Sequence, residues 1–419
     1  MLCAILILER INHRAYPKLK FFIREVNMKA IINTKLILED GIIFDGAITY
    51  DGGRIVSVGK RGEVDVSSCD EIIDANGLYT APGLVDIHNH GCREKWFYED
   101  PTFASKHFLS HGATTVLPTF YHAMSKEDMI EGAKKIREAK KHGAGKIMEG
   151  IYMEGPFMRF SGSFSSSIRW SGAVAECDYK DLIDAFGDMV KVWAIDPDRE
   201  NIESFMAYAK EHTPNAVFAH GHSSSTFEAI QNLKHYGVKI RTHITNAGQA
   251  KGRSQVKMGP GGDHFCFYDP DIYAELIVDE SGVHVAPGMV KTVIRIKGVE
   301  RVCLISDHTS CGDNNYKNDE AGGVWYGPDL NYDDRGWLAG SLMTLDNGVR
   351  NVMTHSGYGL CHAIRMASLT PAEAVGISHE VGSLKAGKRA NMIIMDDTVK
   401  IKRVILEGED AVIDGKVLI

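Results

Sequence analysis

Short apolar runs alternate through the middle of the chain with stretches in which apolar positions recur every third or fourth residue. The first pattern reads as buried β-strand and the second as amphipathic helix. Strands are predicted to end near His88, Pro118, Glu154, Ile195, His220, His243, Asp279 and Asp307. Helices are predicted over Lys126 to His142, Arg199 to Glu211, Thr226 to His235 and Pro287 to Ile296. Strands and helices that alternate in this way mark βαβ units and a parallel sheet. Eight such strands predict an α/β fold of the (β/α)8 TIM-barrel type.

The two ends have a different texture. Residues 28–80 hold short β-rich runs separated by Asp51-Gly52-Gly53 and Asn76-Gly77, and residues 380–419 repeat the pattern around Asp396-Asp397 and Gly408. These turn signals predict a small β-sandwich domain built from both termini around a barrel at residues 81–379. Residues 1–27 form an extension with no assigned role. Their apolar start lacks a preceding basic residue and a small-residue cleavage site, so it does not read as an export signal. The polar stretch from Ser310 to Asn331 follows the last strand and is expected to be an active-site loop.

Composition narrows the function classes. The apolar fraction of 44% is that of an ordinary globular protein. A net charge of −8 without any dense Lys/Arg block gives no basis for nucleic-acid binding. No segment is long and apolar enough to predict a membrane helix. The eight cysteines contain no Cys-x-x-Cys pair and read as reduced thiols of a cytoplasmic protein.

Side chains able to hold metal recur directly after the apolar runs: His88 and His90, Glu154, His222, His243 and Asp307. In a parallel barrel all strand ends meet on one face, so residues distant in sequence converge there. His88-Asn89-His90 places two imidazoles on one side of an extended backbone. Glu154 ends an apolar strand before Gly155-Pro156, where an uncompensated charge is costly. His222 and His243 each follow a strand. His220, two residues earlier and expected to face the same side, competes for the His222 role. Asp307 reads as a ligand, a general base or the partner of a basic residue. Together these groups suit metal-assisted amide hydrolysis, with one or two divalent ions activating water and Asp307 moving its proton to the departing amine. Imidazole and carboxylate ligands fit Zn, the first choice, and also Fe, Co, Mn or Ni.

The chain resembles the N-acetylglucosamine-6-phosphate deacetylases of the amidohydrolase superfamily. The similar segments are Ala81-Pro82-Gly83-Leu84-Val85-Asp86-Ile87-His88-Asn89-His90-Gly91, Gly112-Ala113-Thr114-Thr115-Val116-Leu117-Pro118-Thr119, Met153-Glu154-Gly155-Pro156-Phe157, Gly221-His222-Ser223, Thr242-His243-Ile244-Thr245-Asn246-Ala247, Leu338-Ala339-Gly340-Ser341 and Arg365-Met366-Ala367-Ser368-Leu369. The resemblance implies that Glu154, His222 and His243 bind the main metal and that His88 and His90 offer a second site. It also implies that Asp307 is the acid/base and that the protein is a homodimer. The implied reaction converts N-acetylglucosamine 6-phosphate to glucosamine 6-phosphate and acetate. Departures fall on the sugar side. Met158 to Ser165 replaces the family's Lys-Gly-Ala-His turn, and Gly248 to Ser254 replaces its arginine-bearing run. On this mapping Asn246, Ala247, Arg253 and His284 are the substrate-binding positions, with Lys251 as an alternative to Arg253. The altered loops keep open a second substrate class, N-acetylgalactosamine 6-phosphate or an N-acyl amino acid. A non-catalytic metal or sugar binder is the remaining alternative.

Overall fold

A computed structural model describes residues 27–158, 170, 172–246, 261–310, 327–332 and 338–419. Eight parallel strands form one sheet in sequential order: β1 (Leu84–Asn89), β2 (Ala113–Tyr121), β3 (Ile151–Glu154), β4 (Val190–Ile195), β5 (Val217–His220), β6 (Val238–Arg241), β7 (Tyr273–Leu276) and β8 (Val302–Leu304). The sheet closes beyond the last ladder, where Asp307 N donates to His88 O at 2.9 Å and His90 N donates to His308 O at 2.8 Å. Helices fill the connections, including α1 (Pro101–Ser110), α2 (Lys126–Ala139), α3 (Glu176–Phe186), α4 (Ile202–His212), α5 (Phe227–Leu233), α6 (Gly262–Tyr268), α7 (Pro287–Lys297) and α8 (Leu345–Ser356). This is the predicted barrel. No helix among the described residues is long and apolar enough to cross a membrane.

Strand alternation creates two cores. Met153, Trp193, Ile195 and Phe218 pack outward with helix residues such as Phe205 and Leu182. Tyr152, Val192, Ala194, Val217, Ala219, Ile240, Cys303 and Ile305 form a separate inner cluster. Because side chains alternate with period two, Glu154 continues the inward set after Tyr152, and Asp307 continues it after Cys303 and Ile305.

Strand ends differ from expectation in places. The ladder of β2 runs past Pro118 to Tyr121, with the register to β1 interrupted between Asp86 and Asn89. Proline lacks an N–H for the ladder, so it sits where pairing is irregular. Regular pairing in β6, β7 and β8 stops two or three residues before His243, Asp279 and Asp307. Those three residues therefore stand on loops beyond the strand ends.

Strands from the two termini share one sheet. Tyr79–Pro82 pairs antiparallel with Met392–Met395, joining N- and C-terminal strands in one nine-stranded sheet. Ile31, Leu36, Ile48, Tyr50, Met392, Ile394 and Ile405 are buried together there. Of the Ser310 to Asn331 loop, residues 311–326 lie outside the described residues. Leu330–Tyr332 pairs with Leu338–Ser341 beside the barrel mouth.

Candidate active site

The six side chains singled out at strand ends converge on one buried centre. His222 Nε2 and His243 Nε2 lie 2.8 and 3.0 Å from Glu154 Oε1, and 2.9 Å from each other. The second carboxylate oxygen of Glu154 lies 3.2 Å from His90 Nε2. His90 Nε2 is also 3.2 Å from Asp307 Oδ1, and His88 Nε2 is 3.6 Å from the same oxygen. Two donor sets thus adjoin, Glu154/His222/His243 and His88/His90/Asp307, with Glu154 reaching into both.

Backbone turns aim these groups. His222, His243 and Asp307 all have positive φ, at 46°, 27° and 49°. Such a conformation is costly for a residue with a Cβ and persists only where its surroundings enforce it. At His222 the enforcing contacts are Ser223 Oγ and Ser225 Oγ, which donate to the buried Asp196 Oδ1 at 2.5 and 2.6 Å. At His243 they are Asn246 N donating to His243 O at 2.9 Å and Ile244 N donating to Glu275 O at 2.8 Å. At Asp307 the residue's own carbonyl accepts from Ser341 N at 2.7 Å.

The left-handed turn also decides between the two histidines of β5. Simple alternation puts His220 and His222 on one side; the structure separates them. His220 packs with Phe265 and beside Arg241, and burial together with the Arg241 charge drives its pKa well below the usual imidazole value. His222 alone joins the centre, because φ of 46° breaks the alternation at that residue.

The electrostatics favour a cation. Burial opposes ionisation of Glu154, yet His88 and His222 outweigh it and hold the carboxyl well below its ordinary range. Asp307 is also held low, as His90 and His88 outweigh burial. Burial disfavours charge on His90, but Asp307 and Glu154 push its pKa up to about 9. His88 is likewise raised well above normal, with Glu154 and Glu275 overcoming burial. Anionic oxygens and imidazole nitrogens that face one another this closely need positive charge between them, either as protons or as a metal ion. Neutral imidazole nitrogen with carboxylate oxygen is a suitable donor set for a divalent transition metal. His88 Nε2 is buried and makes no hydrogen bond among the described residues, as expected of a ligand atom aimed at an ion.

The substrate-side residues are less completely placed. Asn246 follows the His243 turn, and its buried Nδ2 has no hydrogen-bond partner among the described residues. His284 is buried, with Nδ1 3.1 Å from Asp279 Oδ2 and Nε2 3.1 Å from Gly340 O, so both ring nitrogens are engaged. Ala247, Lys251 and Arg253 lie outside the described residues, as does most of Met158 to Ser165.

Two further residues belong to the centre and were missed in the sequence. Glu275 on β7 is fully buried and accepts from His88 Nδ1 at 3.0 Å and from His243 N at 3.2 Å. Its only signal was a charge inside the apolar run Tyr273-Ala274-Glu275-Leu276. His122, just past β2, has its ring centroid 6.4 Å from that of His222, and burial lowers its pKa to about 4.

Comparison with known proteins agrees with this geometry. The model of the amidohydrolase family matches residues 79–416. The N-acetylglucosamine-6-phosphate deacetylase of Haemophilus influenzae is 25% identical over 348 residues, covering 80% of this chain and 87% of the relative. The N-acetylgalactosamine-6-phosphate deacetylase of Escherichia coli O157:H7 is 26% identical over 345 residues, covering 78% and 86%. The crystal structure of N-acetylglucosamine-6-phosphate deacetylase from Pasteurella multocida superposes with a TM-score of 0.78 at 25% identity, covering 91% of this chain and 99% of that one.

Proposed function

The chain belongs to the amidohydrolase family, and from that premise we propose that it removes the acetyl group of an N-acetylated amino-sugar 6-phosphate. N-acetylglucosamine 6-phosphate is the first substrate and its galacto epimer the second, in line with the similar proteins of both names. Zinc is our choice of ion for the centre, a cytoplasmic location follows from the reading of the cysteines, and a homodimer is the form that the family resemblance implies.

Glu154, His222 and His243 would hold the principal ion, and His88, His90 and Asp307 offer a second position. A bound divalent cation supplies polarisation of the amide carbonyl and brings the pKa of water toward neutrality. Asp307, held anionic at neutral pH, starts as the base and accepts a proton from the attacking water. The water oxygen bonds to the acetyl carbon, the C–N bond breaks, and Asp307 returns the proton to the departing nitrogen. Acetate and a free amino sugar result. Without that proton the nitrogen would have to leave as an amide anion, a very poor leaving group.

The observation that carries this reading is the carboxylate of Glu154 lying between two histidine sets, with Asp307 on the far side. The test is acetate release by the metal-loaded enzyme from both sugar phosphates, the unphosphorylated sugars and N-acetyl amino acids. No acetate from either sugar phosphate, with metal bound, would sink the proposal.

A further inference from the structure

We propose that Glu275 is a positioning residue that sets the affinity of the His88/His90/Asp307 position for a cation. This inference rests on the metal-dependent reading above.

Glu275 is 0% exposed, and no lysine or arginine among the described residues pairs with it. A buried carboxylate without a basic partner is expensive and must find compensation elsewhere. Its side chain faces the His88 ring, the His243 main chain and the Tyr152 hydroxyl. One oxygen, Oε2, accepts from the His88 ring and from the His243 backbone.

In the neutral form that binds metal, the bond from Nδ1 fixes the His88 tautomer. With the proton on Nδ1, the lone pair resides on Nε2, which points into the space bounded by Glu154 Oε1 at 3.5 Å and Asp307 Oδ1 at 3.6 Å. A carboxylate behind a ligating imidazole raises its basicity and locks its ring plane. The Tyr152 ring, 4.5 Å from His88 between centroids, supports the same orientation from the side. The counter-charge for Glu275 would be a cation held at His88 Nε2. The second position bears the larger share of this dependence: the Glu275 side chain touches the principal set only through the main-chain N–H of His243, and the bond that holds the His243 turn, Ile244 N to the Glu275 carbonyl, survives replacement of the side chain.

The experiment is a Zn2+ titration of the metal-stripped full chain against a competing chelator, with ion content read by elemental analysis. Wild type, Glu275→Gln, Glu275→Leu, His88→Ala and His243→Ala are compared. His88→Ala identifies the second ion and His243→Ala the principal one. Glu275→Leu is expected to weaken the second ion by roughly ten- to hundredfold. Glu275→Gln, which keeps one acceptor oxygen for His88, should fall between it and wild type, and both variants should weaken the principal ion less than the second. Wild-type affinity for both ions in Glu275→Leu would overturn the inference. So would equal weakening of both ions, which would make Glu275 a general frame residue, or a wild-type chain that takes only one ion. Failure of the functional reading is separate: it would appear as two bound ions with no acetate release.

Discussion

Replacing Asp307 by Asn tests proton transfer while leaving the principal metal set and the fold in place. The substitution preserves shape and one acceptor oxygen. The left-handed backbone at φ 49° is also preserved, since Asn tolerates that region as well as Asp does. The loop stays tied by Asp307 N donating to His88 O at 2.9 Å and by Ser341 N donating to Asp307 O at 2.7 Å. The Glu154/His222/His243 donor set does not include the residue, so at least one ion should remain. What disappears is an anionic carboxylate 3.2 Å from His90 Nε2, able to take and return a proton. General acid/base groups contribute about 10²- to 10⁴-fold. At about 1.36 kcal/mol per decade this is an increase of about 2.7–5.4 kcal/mol in the barrier. Acetate release under saturating substrate gives kcat, and elemental analysis of the same sample gives metal per chain. Turnover within about tenfold of wild type, with metal retained, would refute the assignment of Asp307 as the proton carrier.

Other perturbations have distinct readouts. His222→Ala and His243→Ala each remove a nitrogen from the principal set and should abolish tight binding of that ion; unchanged metal content would exclude them as ligands. Asp279 has its pKa drawn down to about 2, because His284 and the N–H groups of Val283 and His284 outweigh burial. A depressed carboxyl stabilises the fold above its unfolded pKa and loses that contribution as pH falls through the folded value. Asp279→Asn should therefore lower the urea midpoint at pH 7, with a gap that narrows below about pH 4; a gap independent of pH would contradict the pairing. Arg253→Ala should reduce kcat/KM on the 6-phosphorylated sugar by roughly ten- to hundredfold, the effect of losing a charge-assisted contact of about 1.5–3 kcal/mol. Equal loss on the unphosphorylated sugar would rule out phosphate as its partner.

The barrel and its catalytic face were legible in the sequence because both rest on local periodicity. Apolar runs that end in His, Glu or Asp announce strands whose tips carry chemistry, and parallel topology sends all the tips to one face. That logic brought His88, His90, Glu154, His222, His243 and Asp307 together without any tertiary information. The sheet shared by both termini was legible for a similar reason, since turn-punctuated β-rich text at each end needs a partner to bury its apolar face.

Tertiary structure decided what periodicity does not encode. Period-two alternation put His220 and His222 on one side, but the Asp196–Ser223–Ser225 contacts hold a left-handed turn that separates them. Glu275 looked like one charged residue inside a strand. Its meaning depends on His88, 187 residues away, and on the register that sets β7 beside β6 and its His243 turn. His284 was named only through the family resemblance, and the engagement of both its ring nitrogens depends on Asp279 and Gly340. Residue type and spacing along the chain establish which side chains can reach a common face. Orientation, tautomer and charge there depend on neighbours supplied by other strands, and those exist only once the barrel has closed.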